Sequence, residues 1–312
     1  MSTIDISIII ATRHRENILW ETVKKAYEAI KNNAEIIIVN DGNTALNVPA
    51  FFVDKIQCFD NPKRGVSSAR NFAVSKAKGE TLFFIDDDMW INATVIDWIN
   101  SFVVNKPEVQ AVYNINWEYP PVLNEQLAST KIGQYLLSSK YNTMWGRMDI
   151  KDKQPENGLY QYYQVGSGSL VINKKIFEMA GRYNEFIVFQ GEDIGFSDKL
   201  KALAIPVYAV FDVTLFHNQQ DRLNINSYLK RNAEGFESEF KAVKTGIIDP
   251  FGAINYNGPI KIIFEFFRIT EKGWIFLLNI LPGKKITIAF NNKLIGILTG
   301  LQRYKQWKKI LR

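Results

Sequence analysis

The chain has 312 residues, 46% of them hydrophobic and 22% charged, which is typical of a globular protein. Its net charge is +6, but residues 261–312 hold eleven Lys and Arg against two acids and carry +9, which leaves −3 for residues 1–260. Because the body is not basic and carries no nucleic-acid-binding motif, we expect no nucleic-acid partner. A single cysteine, Cys58, and the absence of a secretory leader at the N-terminus predict a cytoplasmic location.

The first elements predicted are two buried strands joined by a helix. Apolar, β-branched runs predict strands at residues 4–12 and 34–39, and a 3.6-residue apolar period predicts a helix at about 17–30. Such a unit makes a parallel strand pair, so Thr12 and Asp41 are expected at one edge of the sheet. There Asp41 either accepts hydrogen bonds from a base or ribose or serves only in an Asx turn, and both interpretations stay open.

The next segment predicts a helix with a basic start. Ser67 is the expected N-cap, and Lys63, Arg64 and Arg70 flank that helix N-terminus. Backbone N–H groups and guanidinium groups both bind phosphate oxygens, so this position favours a pyrophosphate.

Three adjacent carboxylates end the next buried strand. The strand at residues 81–85 leads into Asp86, Asp87 and Asp88. Open α/β sheets bind ligands at the carboxyl ends of their strands, and three such charges are costly unless a cation or a shared proton relieves them. Mg²⁺ and Mn²⁺ prefer carboxylate oxygen and bridge to phosphates, so the stretch predicts a metal and a phosphorylated ligand. The alternative is a solvated acidic turn that opens the next helix.

The middle of the chain is less regular. A helix is predicted at residues 93–104 and a strand at 110–117, followed by an aromatic-rich segment in which Trp145, Tyr160 and Tyr162 are candidates for stacking on a ligand. Ordinary core packing is the favoured alternative for these aromatic side chains.

A second group of chemically active residues follows a glycine-rich strand at 165–172. Glu192 and Asp193 open a predicted helix that runs to residue 204, where acids are favoured by the helix dipole alone. A short strand predicted at residues 205–211 and the segment 212–217 then lead to His217, one of two histidines in the chain. A lone histidine is more often structural than a metal ligand.

Four motifs in order resemble family 2 glycosyltransferases of the GT-A fold. They are the strand ending in Ala11-Thr12, the strand ending in Asn40-Asp41-Gly42, the motif Gly65-x-x-x-Ala69-Arg70-Asn71, and the motif Gly79-Glu80-x-x-x-Phe84-Ile85-Asp86-x-Asp88. The resemblance covers about residues 4–220. It implies an α/β, Rossmann-like GT-A fold with a mostly parallel central sheet flanked by helices, and a nucleotide-sugar donor.

The resemblance also implies roles for single residues. Those implied in donor binding are Thr12, Arg13, Asp41, Arg70, Asp86 and Asp87, with Arg13 standing where the family usually has an aromatic residue. Those implied in holding Mn²⁺ or Mg²⁺ are Asp86, Asp88 and His217. In inverting members an acid in the place of Asp193, beside Glu192, deprotonates the acceptor hydroxyl. The fold that the resemblance implies also brings the acceptor to the segment between residues 119 and 163, where Trp145, Tyr160 and Tyr162 would stack on its sugar rings.

The C-terminal region differs from the body. We expect a catalytic domain at residues 1–222, with a donor half at about 1–110 and an acceptor half at about 111–222, and a helical, basic, amphipathic region at 223–312. Leu294, Ile297, Leu301 and Tyr304 fall near one helical face. That face either lies in an anionic membrane surface or packs on protein, and the sequence leaves both open.

The sequence therefore predicts a metal-dependent, inverting glycosyltransferase that moves a sugar from a nucleoside diphosphate donor, with UDP favoured, to a glycan or lipid-linked acceptor in bacterial surface polysaccharide synthesis. The expected location is the cytoplasm, and both an association with the inner face of the cytoplasmic membrane and a homo-oligomer stay open. One alternative is a nucleotidyltransferase, which should carry a glycine-rich loop after its first strand; the other is an inactive glycan-binding protein of the same fold.

Overall fold

The structure, a computed structural model, describes residues 3–106, 108–144, 146, 158–220, 224–248, 256, 258–280 and 285–311. Trp145 lies outside the described residues. The chain divides into two compact units. Unit one comprises Met1–Glu118, Ile150–Val188 and Glu192–Asn218; unit two comprises Tyr119–Asp149, Phe189–Gly191 and Gln219–Arg312.

The described strands all belong to unit one. They are β1 (Ile6–Thr12), β2 (Ala34–Asn40), β3 (Gln57–Asp60), β4 (Thr81–Asp86), β5 (Met89–Trp90), β6 (Val112–Glu118), β7 (Leu159–Tyr162), β8 (Ser169–Asn173) and β9 (Val207–His217).

The described helices occur in both units. In chain order they are α1 (Glu16–Ala29), α2 (Val66–Lys76), α3 (Ala93–Ile99), α4 (Pro121–Ser129), α5 (Lys131–Ser138), α6 (Lys174–Met179), α7 (Glu192–Ala202), α8 (Ile225–Lys244), α9 (Pro259–Ile280) and α10 (Lys285–Ile310). A π-helical turn continues α3 from Asn100 to Val104.

The strands form one sheet in the order β3-β2-β1-β4-β8-β6-β9-β5, with β7 also pairing with β9. The strands β1, β2, β3 and β4 are mutually parallel where they pair, because α1 and α2 return the chain to the same end of the sheet. The strand β8 runs antiparallel between β4 and β6. The sheet is therefore mixed rather than mostly parallel.

The centre of the sheet is the core of unit one. Ile9, Ile37 and Phe84 lie side by side in register and are at most 1% exposed. Ala73 of α2 and Phe177 of α6 belong to the same apolar cluster. Full burial of a large apolar side chain contributes about 1.5–3 kcal/mol, so continuous apolar strands such as these hold the sheet edge in place.

The strand ends assemble the edge that the sequence predicts. Thr12 pairs with Asn40, and Ala11 pairs with Asp86, so the polar residues that follow β1, β2 and β4 meet at one edge. The strand predicted at residues 205–211 extends further than expected, because β9 runs from Val207 to His217. A register shift against β6 lets β9 continue to His217, which pairs with Met89 of β5.

Unit two has a core of its own. Ile132 of α5 lies in one apolar cluster with Leu229, Leu278 and Leu298, which belong to α8, α9 and α10. Residues 119–149, predicted within the acceptor half, are grouped with the C-terminal helices, and Ile132 is buried among their apolar side chains.

The amphipathic face of α10 is buried in the same core. Leu294, Leu301 and Tyr304 are at most 3% exposed. Basic residues of α10 pair with acids of unit two, among them Lys308 with Glu265. Of the two alternatives left open by the sequence, this face of α10 therefore packs on protein and does not lie in a membrane surface. Among the described helices, none combines the length and the apolar character needed to cross a membrane.

Candidate active site

The acidic residues after β4 form a turn between two strands. Asp87 and Asp88 connect β4 to β5, whereas α3 starts later with Asn92 as its N-cap. Asp88 is fully buried and Asp87 is 5% exposed. Thr12 Oγ1 donates a 2.7 Å hydrogen bond to Asp87 Oδ2. The solvated helix start considered as an alternative is therefore wrong for these two residues.

Arg15 supplies a positive charge to the same turn. Its guanidinium donates to the carboxylate of Asp87 and, at 2.9 Å, to Asp88 Oδ2. Burial raises the pKa of Asp87 to about 6, with Arg15 acting against that rise. Arg15 was not among the site residues predicted from the sequence. The available signal was a basic residue three positions after Thr12, in the loop at the predicted ligand edge.

His217 lies next to Asp88 because β5 pairs with the end of β9. Its Nε2 is 3.2 Å from Asp88 Oδ1, and the ring of Trp117 meets the imidazole edge-on at 4.9 Å. The backbone N–H of Asn218 donates a 2.7 Å hydrogen bond to the Asp88 carbonyl. The structure therefore brings together two of the three predicted metal ligands.

The third predicted ligand, Asp86, is paired with Arg70. Arg70 is 4% exposed; its Nη2 donates to Asp86 Oδ1 at 2.9 Å and its Nη1 donates to Glu192 Oε1 at 2.7 Å. Burial acts against the charge of Arg70, but Glu192 and Asp86 outweigh it and raise the pKa of the guanidinium. Its face lies 5.7 Å from the ring centroid of Tyr183. Arg70 thus joins the acid at the end of β4 to the first residue of α7.

The donor atoms near Asp88 fit part of a divalent-metal site. Carboxylate oxygen suits Mg²⁺ and Mn²⁺, and imidazole nitrogen is a common ligand of first-row transition metals. In the described part of the chain, no three His, Cys, Asp or Glu side chains are grouped as a metal site. Asp86 is instead in an ion pair with Arg70. Asp88 and His217 are therefore the residues that fit two positions around such an ion.

Asp41 connects β2 to the start of α2. Its Oδ1 accepts hydrogen bonds from the backbone N–H of Gly65 at 2.8 Å and from Asn61 Nδ2 at 2.7 Å. Gly65, with a φ of +128°, is the N-cap in place of the predicted Ser67. The nearby Asx turn belongs to Asn40, whose Oδ1 accepts from the N–H of Gly42. One oxygen of Asp41 therefore fixes the turn that positions α2 and Arg70.

Asp193, the predicted base, is held by Ser167. The N–H of Ser167 donates to Asp193 Oδ1 at 3.0 Å, and its hydroxyl donates to the same oxygen. The Tyr183 hydroxyl lies 2.6 Å from Ser167 Oγ. Burial raises the pKa of Asp193 to about 7, and Glu192 adds to the rise. A carboxylate with a pKa near neutrality is well suited to accept a proton.

The glycine-rich segment lets these groups approach each other. A Cβ on Gly168 would lie 2.7 Å from Asp86 Oδ2, so only glycine leaves room for that carboxylate. The adjacent Ser167 is the residue that holds Asp193. Glu192 is 7% exposed, and its Oε2 has no hydrogen-bond partner among the described residues. Sequence reasoning identified the glycines but not Ser167, because the direction of its side chain depends on the fold.

The remaining predicted residues lie apart from these contacts. Arg13 is exposed in the loop after β1. Tyr160 and Tyr162 are partly buried on β7, opposite Ala209 and Val207 near the start of β9. His217 is at the other end of β9, roughly 25 Å further along an extended strand. A role for the two tyrosines in acceptor binding stays a prediction.

Known proteins resemble the first half of the chain. The family model described as glycosyl transferase family 2 matches residues 7–160. The Escherichia coli protein UDP-Glc:alpha-D-GlcNAc-diphosphoundecaprenol beta-1,3-glucosyltransferase WfaP is 31% identical over 106 residues, 32% of this chain and 42% of that protein. Glycosyltransferase GlyA of Streptococcus pneumoniae is 26% identical over 114 residues, 35% of this chain and 16% of that protein. The matches thus span less than half the length of each relative.

Two solved structures share the fold. GalNAc-T7, crystallised with UDP, GalNAc and Mn²⁺, has a TM-score of 0.50 and 16% identity over 88% of this chain and 56% of that chain. TarS of S. aureus has a TM-score of 0.50 and 13% identity over 98% of this chain and 55% of that chain. The predicted α/β GT-A fold with a C-terminal helical region is confirmed.

The family match decides between the classes that the sequence left open. It begins in β1, passes through Asp41, Arg70 and the acidic turn, and ends in β7. The motifs that suggested the resemblance all lie within it, which argues against the nucleotidyltransferase alternative. Residues 7–160 thus correspond to a glycosyl transferase family 2 domain.

Proposed function

We propose that this protein transfers a sugar from a nucleoside diphosphate donor, with UDP as the nucleotide, to a glycan or lipid-linked glycan acceptor in the synthesis of a bacterial surface polysaccharide. The observation that carries the proposal is the pair of hydrogen bonds from Arg70 to Asp86 and Glu192. These bonds connect Asp86, an acid on the donor side, to α7, the helix that bears the candidate base Asp193. The name of the E. coli relative, which includes a UDP-sugar and a diphosphoundecaprenol acceptor, supports this donor and this acceptor class.

The proposed reaction is a displacement at the anomeric carbon with inversion. The acceptor hydroxyl oxygen forms the new glycosidic bond while the bond from the anomeric carbon to the diphosphate oxygen breaks, and the nucleoside diphosphate leaves with that electron pair. Asp193 takes the proton of the hydroxyl. The two hydrogen bonds from Ser167 hold Asp193 Oδ1 in one orientation for this step.

The remaining charged residues act on the donor side. Asp88 and His217, with Asp86 as the third predicted ligand, would hold Mn²⁺ or Mg²⁺, which supplies positive charge to the leaving diphosphate. Arg15 and Arg70 add cationic groups at the same edge. Thr12, Asp41 and Asp87 are the residues proposed on the nucleoside side.

A lipid-linked acceptor places the reaction at a membrane. We include in the proposal a peripheral contact between the C-terminal helices and the anionic inner face of the cytoplasmic membrane. The charge of +9 over residues 261–312 supports this contact, because anionic lipids attract Lys and Arg.

Replacing the candidate base tests the proposed chemistry. We expect Asp193→Asn to lower the Mn²⁺-dependent hydrolysis of UDP-glucose and related UDP-sugars by about 10²–10⁴-fold, since general-base catalysis contributes about that much. The increase in melting temperature caused by UDP should be unchanged. The control is Asp198→Asn, which alters an exposed residue of the same helix. Near-normal turnover of Asp193→Asn would remove Asp193 as the base.

The raised pKa of Asp193 predicts a pH-dependent effect of the same substitution on stability. At a pH between 3.8, the ordinary pKa of this carboxyl, and about 7, its pKa in the folded protein, the unfolded chain has lost the proton and the folded protein keeps it. The carboxyl therefore lowers the free energy of unfolding as the pH rises, and the cost is largest above pH 7. Asparagine cannot ionise and removes a cost of up to about 4 kcal/mol. We expect Asp193→Asn to melt higher than the wild type at about pH 8, with the gain vanishing near pH 4. A pH-independent difference would contradict this account.

The histidine prediction has a direct binding test. We expect His217→Ala to weaken Mn²⁺ binding in the presence of UDP by at least about tenfold, because even indirect disturbance of a metal ligand costs 10–100-fold. Paramagnetic resonance of free Mn²⁺ measures this without turnover. His14→Ala replaces the other histidine, which is exposed in the loop after β1, and should leave the affinity unchanged. Equal Mn²⁺ affinities for both variants would exclude His217 as a ligand.

A further inference from the structure

Helix α9 is apolar on two opposite faces. One face packs into the core of unit two through residues that include Phe267, Trp274 and Leu278. The opposite face carries five large apolar side chains that are between 54% and 76% exposed. We call these residues the outer stripe: Ile262, Phe266, Ile269, Phe276 and Ile280.

The outer stripe is continuous along the helix. Its members follow one another at intervals of four, three, seven and four residues, with Gly273 in the longest interval, so all of them lie on one side of α9. The stripe is about 27 Å long at a rise of 1.5 Å per residue. Proteins that act alone in water rarely expose apolar patches of this extent, so the stripe indicates a partner.

One flank of the stripe is basic. Lys261, Arg268 and Lys272 are spaced by seven and four residues and lie about 100° around the helix from the stripe. Neither Lys261 nor Lys272 forms an ion pair with another described residue. Arg268 pairs with Glu265 within α9, but both acids of the helix are also neutralised by α10, since Glu265 pairs with Lys308 and Glu271 pairs with Lys305. The exposed side of α9 is therefore both apolar and positively charged.

We propose that the outer stripe of α9 inserts into the surface of an anionic lipid bilayer, with the helix parallel to the membrane plane. Apolar side chains of such helices enter the boundary between headgroups and acyl chains, and flanking Lys and Arg meet anionic headgroups. An apolar protein partner would account for the stripe but not for the basic flank. Since α9 does not qualify as a spanning helix, the parallel orientation is the one that buries the stripe.

This inference deepens the proposed function, because it rests on the membrane contact proposed there and assigns it to α9 rather than to α10. A peripheral helix would keep the enzyme beside acceptors whose lipid portion lies in the bilayer. Membrane binding is measured without donor or acceptor, so its failure can be distinguished from failure of the transfer chemistry.

The test is sedimentation of the full chain with vesicles of phosphatidylcholine, alone or mixed with phosphatidylglycerol. We expect Ile269→Gln/Phe276→Gln to lower the vesicle partition coefficient about tenfold or more, since both apolar side chains lose their insertion. Lys261→Gln/Lys272→Gln should lower binding to the mixed vesicles by about tenfold and barely change binding to neutral vesicles. The control Val122→Gln/Met179→Gln alters apolar residues that are 64% and 52% exposed on other helices, and it should bind like the wild type.

Three results would overturn the proposal. The first is that the wild type fails to bind the mixed vesicles, and the second is that the stripe variant binds as well as the control. The third is a dimer in light scattering that only the stripe variant loses, which would assign the stripe to a second copy of the chain. Melting temperatures of all variants verify that each is folded.

Discussion

The buried guanidinium of Arg70 is the contact on which the candidate site depends. It lies on α2, yet it holds Asp86 at the end of β4 and Glu192 at the start of α7, which are 106 residues apart in the chain. A buried ion pair is a weak source of net stability, but loss of one partner leaves an unpaired buried charge that costs about 3–5 kcal/mol. The ion pairs therefore specify how these three elements meet, and Asp193, next to Glu192, takes its position from the same arrangement.

A second cation completes the electrostatics of this edge. Arg15 offsets the negative charges of Asp87 and Asp88, and Arg70 does the same for Asp86 and Glu192. Asp193 instead receives two hydrogen bonds from Ser167. The sheet edge thus concentrates carboxylates, but among the residues that the structure describes it gives the candidate base no direct ion pair. Asp193 is accordingly the one of these acids whose pKa burial raises to about 7, where it can exchange a proton.

Local patterns were sufficient for part of this structure and insufficient for the rest. Continuous apolar runs predicted β1, β2 and β4, and the rule for parallel pairs predicted that Thr12 and Asp41 share an edge. The roles of Arg15 and Ser167 depend on side-chain directions across 26 to 73 residues of chain, which no local pattern encodes. Likewise, amphipathicity indicated that α10 has a buried face but not which helices cover it. The outer stripe of α9 was not predicted, because the two apolar faces of this helix together give one apolar run in the sequence.

A double-mutant cycle on Arg70 and Glu192 tests the central claim most directly. The free energies of unfolding of the wild type, Arg70→Met, Glu192→Met and the double variant would be measured by urea denaturation. Since Arg70→Met leaves Glu192 charged and unpaired, the account predicts that the double variant is more stable than the sum of the single costs implies, by about 1–3 kcal/mol. Additive costs would contradict it, because they would mean that these two residues do not depend on each other.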